Sequence, residues 1–85
     1  MEFEFDAEKS NANLEKHGID FVAAQKLWQD VGRLEAPARS EIEKRQILIA
    51  KHGGKLWAAI FTMRGKNIRI ISVRRARKIE EKLYD

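Results

Sequence analysis

Hydrophobic positions along this chain change period three times, from two to about three and a half, back to two, and to helical spacing again at the end. Glu2–Phe5 alternates charged and aromatic residues, which puts Phe3 and Phe5 on one face of a short strand. Asp6 then reads as an N-cap, with Glu8 in the first turn, where the helix dipole favours an acid. Ala7, Ser10, Leu14 and His17 recur at helical spacing and predict the packed stripe of a first helix ending near His17. Lys9, Asn13 and Lys16 form a second, polar stripe of that helix. Gly18 supplies the left-handed residue after the helix, and Ile19 the apolar residue that usually follows it. Asp20 caps a second helix, Phe21 to about Asp30, whose buried side is Phe21, Ala24, Leu27 and Trp28.

Gly32 and Pro37 punctuate a weak extended segment, Arg33–Ala36, and Ala38–Glu43 reads as a polar loop. Three strands follow at about Lys44–Lys51, Lys55–Met63 and Asn67–Arg74, joined by the short connections HGG and RGK, which predict antiparallel hairpins. The middle strand is apolar on both faces, so it should be central, with helices on one side and another layer on the other. Alternation breaks at Ile70–Ile71, through either a bulge or burial on both sides. A final helix, about Arg75–Tyr84, is expected to pack through Ala76, Ile79 and Leu83. The expected fold is α+β: one domain, 1–85, with a mostly antiparallel twisted sheet packed by two N-terminal helices and one C-terminal helix.

Charge changes the picture more than composition does. Lys44–Ile79 contains eleven Lys or Arg and no acid, whereas residues 1–43 hold ten acids against five bases. Like charges gathered on one sheet repel, and an anionic ligand offsets that repulsion, so a polyanion is the expected partner. With no cysteine there is no disulfide framework or thiolate metal site, which fits a cytoplasmic protein. His17 and His52 lack the carboxylates of matching spacing that a zinc site needs. The apolar runs are too short to span a membrane, and the acidic MEFEFDAE start is unlike a signal peptide.

At FxFDxxKxxxNLxKHGIxF (Phe3–Phe21), ExR (Glu43 and Arg45), RIISVRRA (Arg69–Ala76) and the closing ExxLYD, the chain resembles the BrnT toxin family. The matches keep their order over essentially the whole length. Phe5 stands where the family often has Trp, Ala50 where it often has Gly, and Arg33–Ser40 lacks the Asp-Pro and His-rich loop common in it. The resemblance implies a RelE-like ribonuclease fold and a type II toxin–antitoxin role. It further implies that translation is inhibited by RNA cleavage, that a BrnA-like ribbon-helix-helix antitoxin neutralises the toxin, and that operator DNA is bound only through that antitoxin.

RNA cleavage by this route deprotonates the 2′-hydroxyl, stabilises the phosphorane and protonates the leaving 5′-oxygen, with no metal or cofactor required. In a chain short of histidine, clustered Arg and Lys are the expected charge stabilisers. Arg74, Arg75, Arg77 and Lys78 gather at the start of the last helix, where cations oppose the dipole; they read as phosphate binders or as a basic turn offset by Glu80 and Glu81. Arg69, within an apolar strand, and Arg45 either line a cleft or pair with Glu43. The expectation is that these guanidiniums converge on one concave spot. His17 reads as a general base or as a cap of helix carbonyls, and Lys9 and Lys16 as cleft-flanking or solvated residues. Arg64 and Lys66, in a hairpin turn, either touch RNA or only solubilise. Trp57 reads as core or as a base-stacking residue, His52 as a turn residue, and Tyr84 as a residue that reaches the cleft or does not. A non-catalytic nucleic-acid or partner-binding module is the alternative. The charge lies on strands rather than on a recognition helix, which disfavours direct DNA binding.

Overall fold

The computed structural model describes residues 2–38 and 44–84. Glu43 and most of the expected 38–43 loop lie outside them. In chain order the elements are β1 (Phe3–Glu4), α1 (Ala7–His17), α2 (Phe21–Ala24) continuing as a 3-10 segment (Gln25–Gln29), β2 (Leu34–Ala38), β3 (Arg45–His52), β4 (Lys55–Arg64), β5 (Asn67–Arg75) and α3 (Lys78–Tyr84). The fold is α+β, with a five-stranded sheet in the order β1-β5-β4-β3-β2. The β1–β5 pair is parallel and the other three are antiparallel. No helix among the described residues is long and apolar enough to cross a membrane.

The expected caps are present. The Glu8 and Lys9 N–H groups donate to Asp6 Oδ1 at 2.9 and 3.2 Å, and the Ala23 N–H donates to Asp20 Oδ1 at 2.8 Å. Gly18 takes φ 81° and donates its N–H to the Leu14 carbonyl, closing α1.

Residues opposite one another on antiparallel strands project to the same side of a sheet. Leu48 and Ala50 of β3, Trp57, Ala59 and Phe61 of β4, and Ile68, Ile70 and Val73 of β5 therefore share one face. They form the core with Ile19, Phe21, Ala24, Leu27 and Trp28 of the N-terminal helical layer. Phe3–Trp28 and Trp28–Phe61 meet edge-to-face, both at 5.2 Å between ring centroids. Trp57 is core, as expected.

Two packing expectations fail. On α1 the buried residues are Ser10 and Asn13, while Ala7 is exposed and Leu14 is 47 % exposed. Polar side chains take the inward positions there because each meets a backbone group. Ser10 Oγ accepts from the Phe21 N–H at 2.9 Å, and Asn13 bonds to three backbone groups. On α3, Ile79 and Leu83 are 72 % and 60 % exposed instead of packed. The helix is turned by polar fastenings: Glu80 binds Arg74, and Tyr84 donates to Asp30 Oδ2 at 2.7 Å. It lies on the reverse face of the sheet, where it meets β3 and where Ile49 and Ala58 are buried apart from the main core.

Candidate nucleic-acid interface

The bulge decides where the cations go. Ile60 of β4 pairs with Ser72 and Phe61 with Ile70, so Ile71 is the extra residue of β5. Arg69 and Arg74 are five positions apart, and a regular strand would send them to opposite faces. With one residue inserted between them, both project to the reverse face, level with Thr62 and Ala58, while Ile68, Ile70 and Val73 all stay on the core side. Arg45 lies one step beyond the Gln46–Phe61 pair and so comes level with Thr62 too. Arg45 and Arg69 thus flank Thr62 on neighbouring strands, about 10 Å apart at two strand spacings. Thr62 is buried, and its hydroxyl donates to the Lys44 carbonyl at 2.8 Å.

The guanidiniums do not all meet at one spot. Arg75 pairs with Trp57 on the core side and lies 5.6 Å from its ring centroid, a cation–π contact. Arg69 Nη1 stands 3.8 Å from Glu4 Oε1, a loose pair, while Asn67 Nδ2 donates to Glu4 Oε2 at 2.9 Å. Arg74 is held in a bidentate pair, Nη1 to Glu80 Oε1 at 2.7 Å and Nη2 to Oε2 at 2.8 Å. Arg74 holds the Glu80 carboxyl below its ordinary range, and Glu80 raises the Arg74 pKa in return. Glu80 Oε1 also accepts the Arg77 N–H at 2.7 Å, so the first turn of α3 is capped by its own carboxylate. The anion at that helix start, expected to be a phosphate, is Glu80. Arg77, Lys78, Arg64 and Lys66 are exposed, the last two at the β4–β5 turn.

Three of the expected residues do come together at the edge of the sheet. Lys9, Lys16 and His17, with Ala12 and Asn13 of α1, face Ile71 and Ser72 of β5 across a groove of about 210 Å³. It opens there because β1 ends at the Glu4–Arg69 pair, so beyond Arg69 this edge of β5 is met by α1. Asn13 makes the join: its Nδ2 donates to the carbonyls of Val73 (2.9 Å) and Ile19 (2.7 Å), and its Oδ1 accepts the Val73 N–H (3.1 Å). Ser72 lies between Arg69 and Arg74 on β5, which links the groove to the cations of the reverse face. Pattern reading assigned Asn13 to a polar stripe and gave Ser72 no role; the break at Ile70–Ile71 was the available signal for this corner.

A second polar junction fastens α3. Asp30 Oδ1 accepts the Gly32 N–H at 2.9 Å, and Oδ2 accepts the Lys51 N–H at 2.8 Å and the Tyr84 hydroxyl at 2.7 Å. These donors, Lys51 first, depress the Asp30 pKa. Tyr84 is thereby committed to the Asp30 junction.

A family model described as the ribonuclease toxin BrnT of type II toxin–antitoxin systems matches residues 5–80. The chain belongs to the BrnT family. No curated protein matches it. The BrnT match runs from Phe5 to Glu80 and so takes in α1, the groove, the bulge and the carboxylate that holds Arg74. Membership makes the protein a ribonuclease toxin and implies an antitoxin partner.

Proposed function

We propose that this BrnT protein has a RelE-like architecture, cleaves RNA without a metal ion and so inhibits translation. Its proposed neutralising partner is a BrnA-like ribbon-helix-helix antitoxin, through which alone the complex contacts operator DNA. The observation that carries the reading is the corner at Ile71. There the bulge sets Arg69 and Arg74 on either side of Ser72, and Lys9, Lys16 and His17 stand across the groove.

In the proposed reaction the RNA backbone crosses from the reverse face into that groove. Arg69 and Arg45 hold the scissile and neighbouring phosphates and stabilise the charge that builds on the phosphorane. His17 takes the 2′-hydroxyl proton; the 2′-oxygen forms its bond to phosphorus as the bond to the 5′-oxygen breaks, leaving a 2′,3′-cyclic phosphate. Lys9 or Lys16 supplies the proton to the leaving 5′-oxygen. Arg74, bound to Glu80, orders the edge of the site, and Arg75, Arg64, Lys66, Arg77 and Lys78 attract the flanking RNA.

Purified protein, freed of antitoxin and treated with chelator, should cut RNA and leave cyclic-phosphate ends. Arg69→Ala and His17→Ala should each lower the rate at least a hundredfold with little change in Tm. The separate partners of Arg69, Arg74 and Arg75 favour a second reading, a binding module of the same fold without chemistry. That reading predicts salt-dependent RNA binding and no new ends, and intact RNA in the chelator experiment would establish it.

A further inference from the structure

The outward side of α3 carries a surface of which the proposed reaction uses Lys78 alone. Ile79 and Leu83 stand one helical turn apart and are exposed, and Lys78 and Lys82 are exposed beside them. Of the two acids of the helix, Glu80 is bonded to Arg74 of the sheet and Glu81 is half-buried. Val31, 99 % exposed, sits between Asp30 and Gly32, the residues against which Tyr84 is seated. Three large aliphatic side chains therefore stand in water around the C-terminal helix, ringed by cations alone among the exposed residues of α3.

We propose that this ridge is where the antitoxin docks, through an acidic amphipathic segment whose apolar residues cover Ile79, Leu83 and Val31 and whose carboxylates meet Lys78 and Lys82. The inference rests on the toxin reading only for the existence of the partner. Single-stranded RNA offers nothing to branched aliphatic side chains, which have no face for a base to stack on. An acidic protein segment satisfies both features of the ridge, by burying the aliphatic area and by charge complementarity. The ridge also fits the way α3 is fixed. Glu80 and Tyr84, one turn apart, face the sheet and are bonded there, so the helix presents its apolar pair in a set orientation before a partner arrives.

The full-length toxin and its antitoxin, the product of the neighbouring reading frame, give the test. Ile79→Ser/Leu83→Ser should weaken antitoxin binding at least tenfold by titration calorimetry, leave RNA cleavage by the free toxin within twofold, and restore growth arrest in cells that express both proteins. Lys82→Glu, which removes no apolar contact, should weaken the complex by a smaller factor that grows at low salt. Because binding is measured directly, a wild type that binds antitoxin but cuts no RNA defeats the ribonuclease reading alone. Wild-type affinity in the double variant overturns the docking site. So does a dimer of the free toxin that the double variant dissolves, or adsorption to anionic vesicles that added antitoxin does not reverse.

Discussion

Asn13 and Val73, sixty residues apart in the chain, are joined by two hydrogen bonds that satisfy both the N–H and the C=O of Val73. The carboxamide thereby does what a residue of a neighbouring strand would do where β1 has already stopped, and its remaining N–H holds the Ile19 carbonyl. Asn13→Ala strands three backbone groups in a buried place and should cost about 3 kcal/mol, read as a lower urea midpoint. Asn13→Asp keeps the acceptor but points a charge at two carbonyls. Burial and those oxygens raise the pKa of the new carboxyl, so this variant should be least stable at neutral pH and recover as the pH falls through that raised value.

Glu80→Gln tests the fastening of α3. The change leaves Arg74 facing a neutral amide and weakens the cap on the Arg77 N–H, a loss of about 1–3 kcal/mol. The depressed pKa values of Glu80 and Asp30 give wild type a stability that is complete above the ordinary carboxylate range, near pH 4, and is lost as the pH drops through the lower folded values. The variant should show a shallower decline across that acid window. An identical slope would mean that the Arg74 pair contributes nothing in solution.

Gly32 and Tyr84 should be coupled. A Cβ on Gly32 would lie 3.0 Å from the Tyr84 hydroxyl oxygen, so Gly32→Ala must push the ring away from Asp30. Tyr84→Phe alone should cost about 1 kcal/mol. In a double-mutant cycle the two losses should sum to more than the double variant loses, since both remove the same bond. Simple additivity would place the Tyr84 hydroxyl elsewhere.

Deleting Ile71 should leave the two faces of β5 as they are. Without the extra residue plain alternation runs from Ile68 to Arg74, so Ile68, Ile70 and Val73 still meet the core while Arg69, Ser72 and Arg74 stay on the reverse face. The deletion variant should therefore still unfold cooperatively in urea, and loss of that cooperativity would mean that the bulge itself holds β5 in register.

The apolar code of this chain was legible, and the polar code mostly was not. The strands, the caps at Asp6, Gly18 and Asp20, and the irregularity at Ile70–Ile71 all follow from residue type and spacing. The parallel pairing of β1 did not, because two residues carry no directional signal. Ser10 was placed correctly on the packed stripe, but Asn13 was misplaced for a physical reason: a buried polar side chain that satisfies a distant backbone group looks, in sequence, like a solvated one. On α3 three tertiary hydrogen bonds, two through Glu80 and one through Tyr84, orient a short helix against its own apolar pair. The basic residues of the candidate site stand out in the sequence as a set. Their division between two faces turned on a single inserted residue, whose consequence depends on register rather than on composition.

The Asp30 junction makes the molecule mechanically single at one point. One carboxylate is shared by the end of the helical layer, the tail of β3 and the last turn of α3, so a pull on the C-terminal helix is felt at the segment that seats Trp28 beneath the sheet. Whatever grips the outside of this toxin therefore has a short lever into its interior.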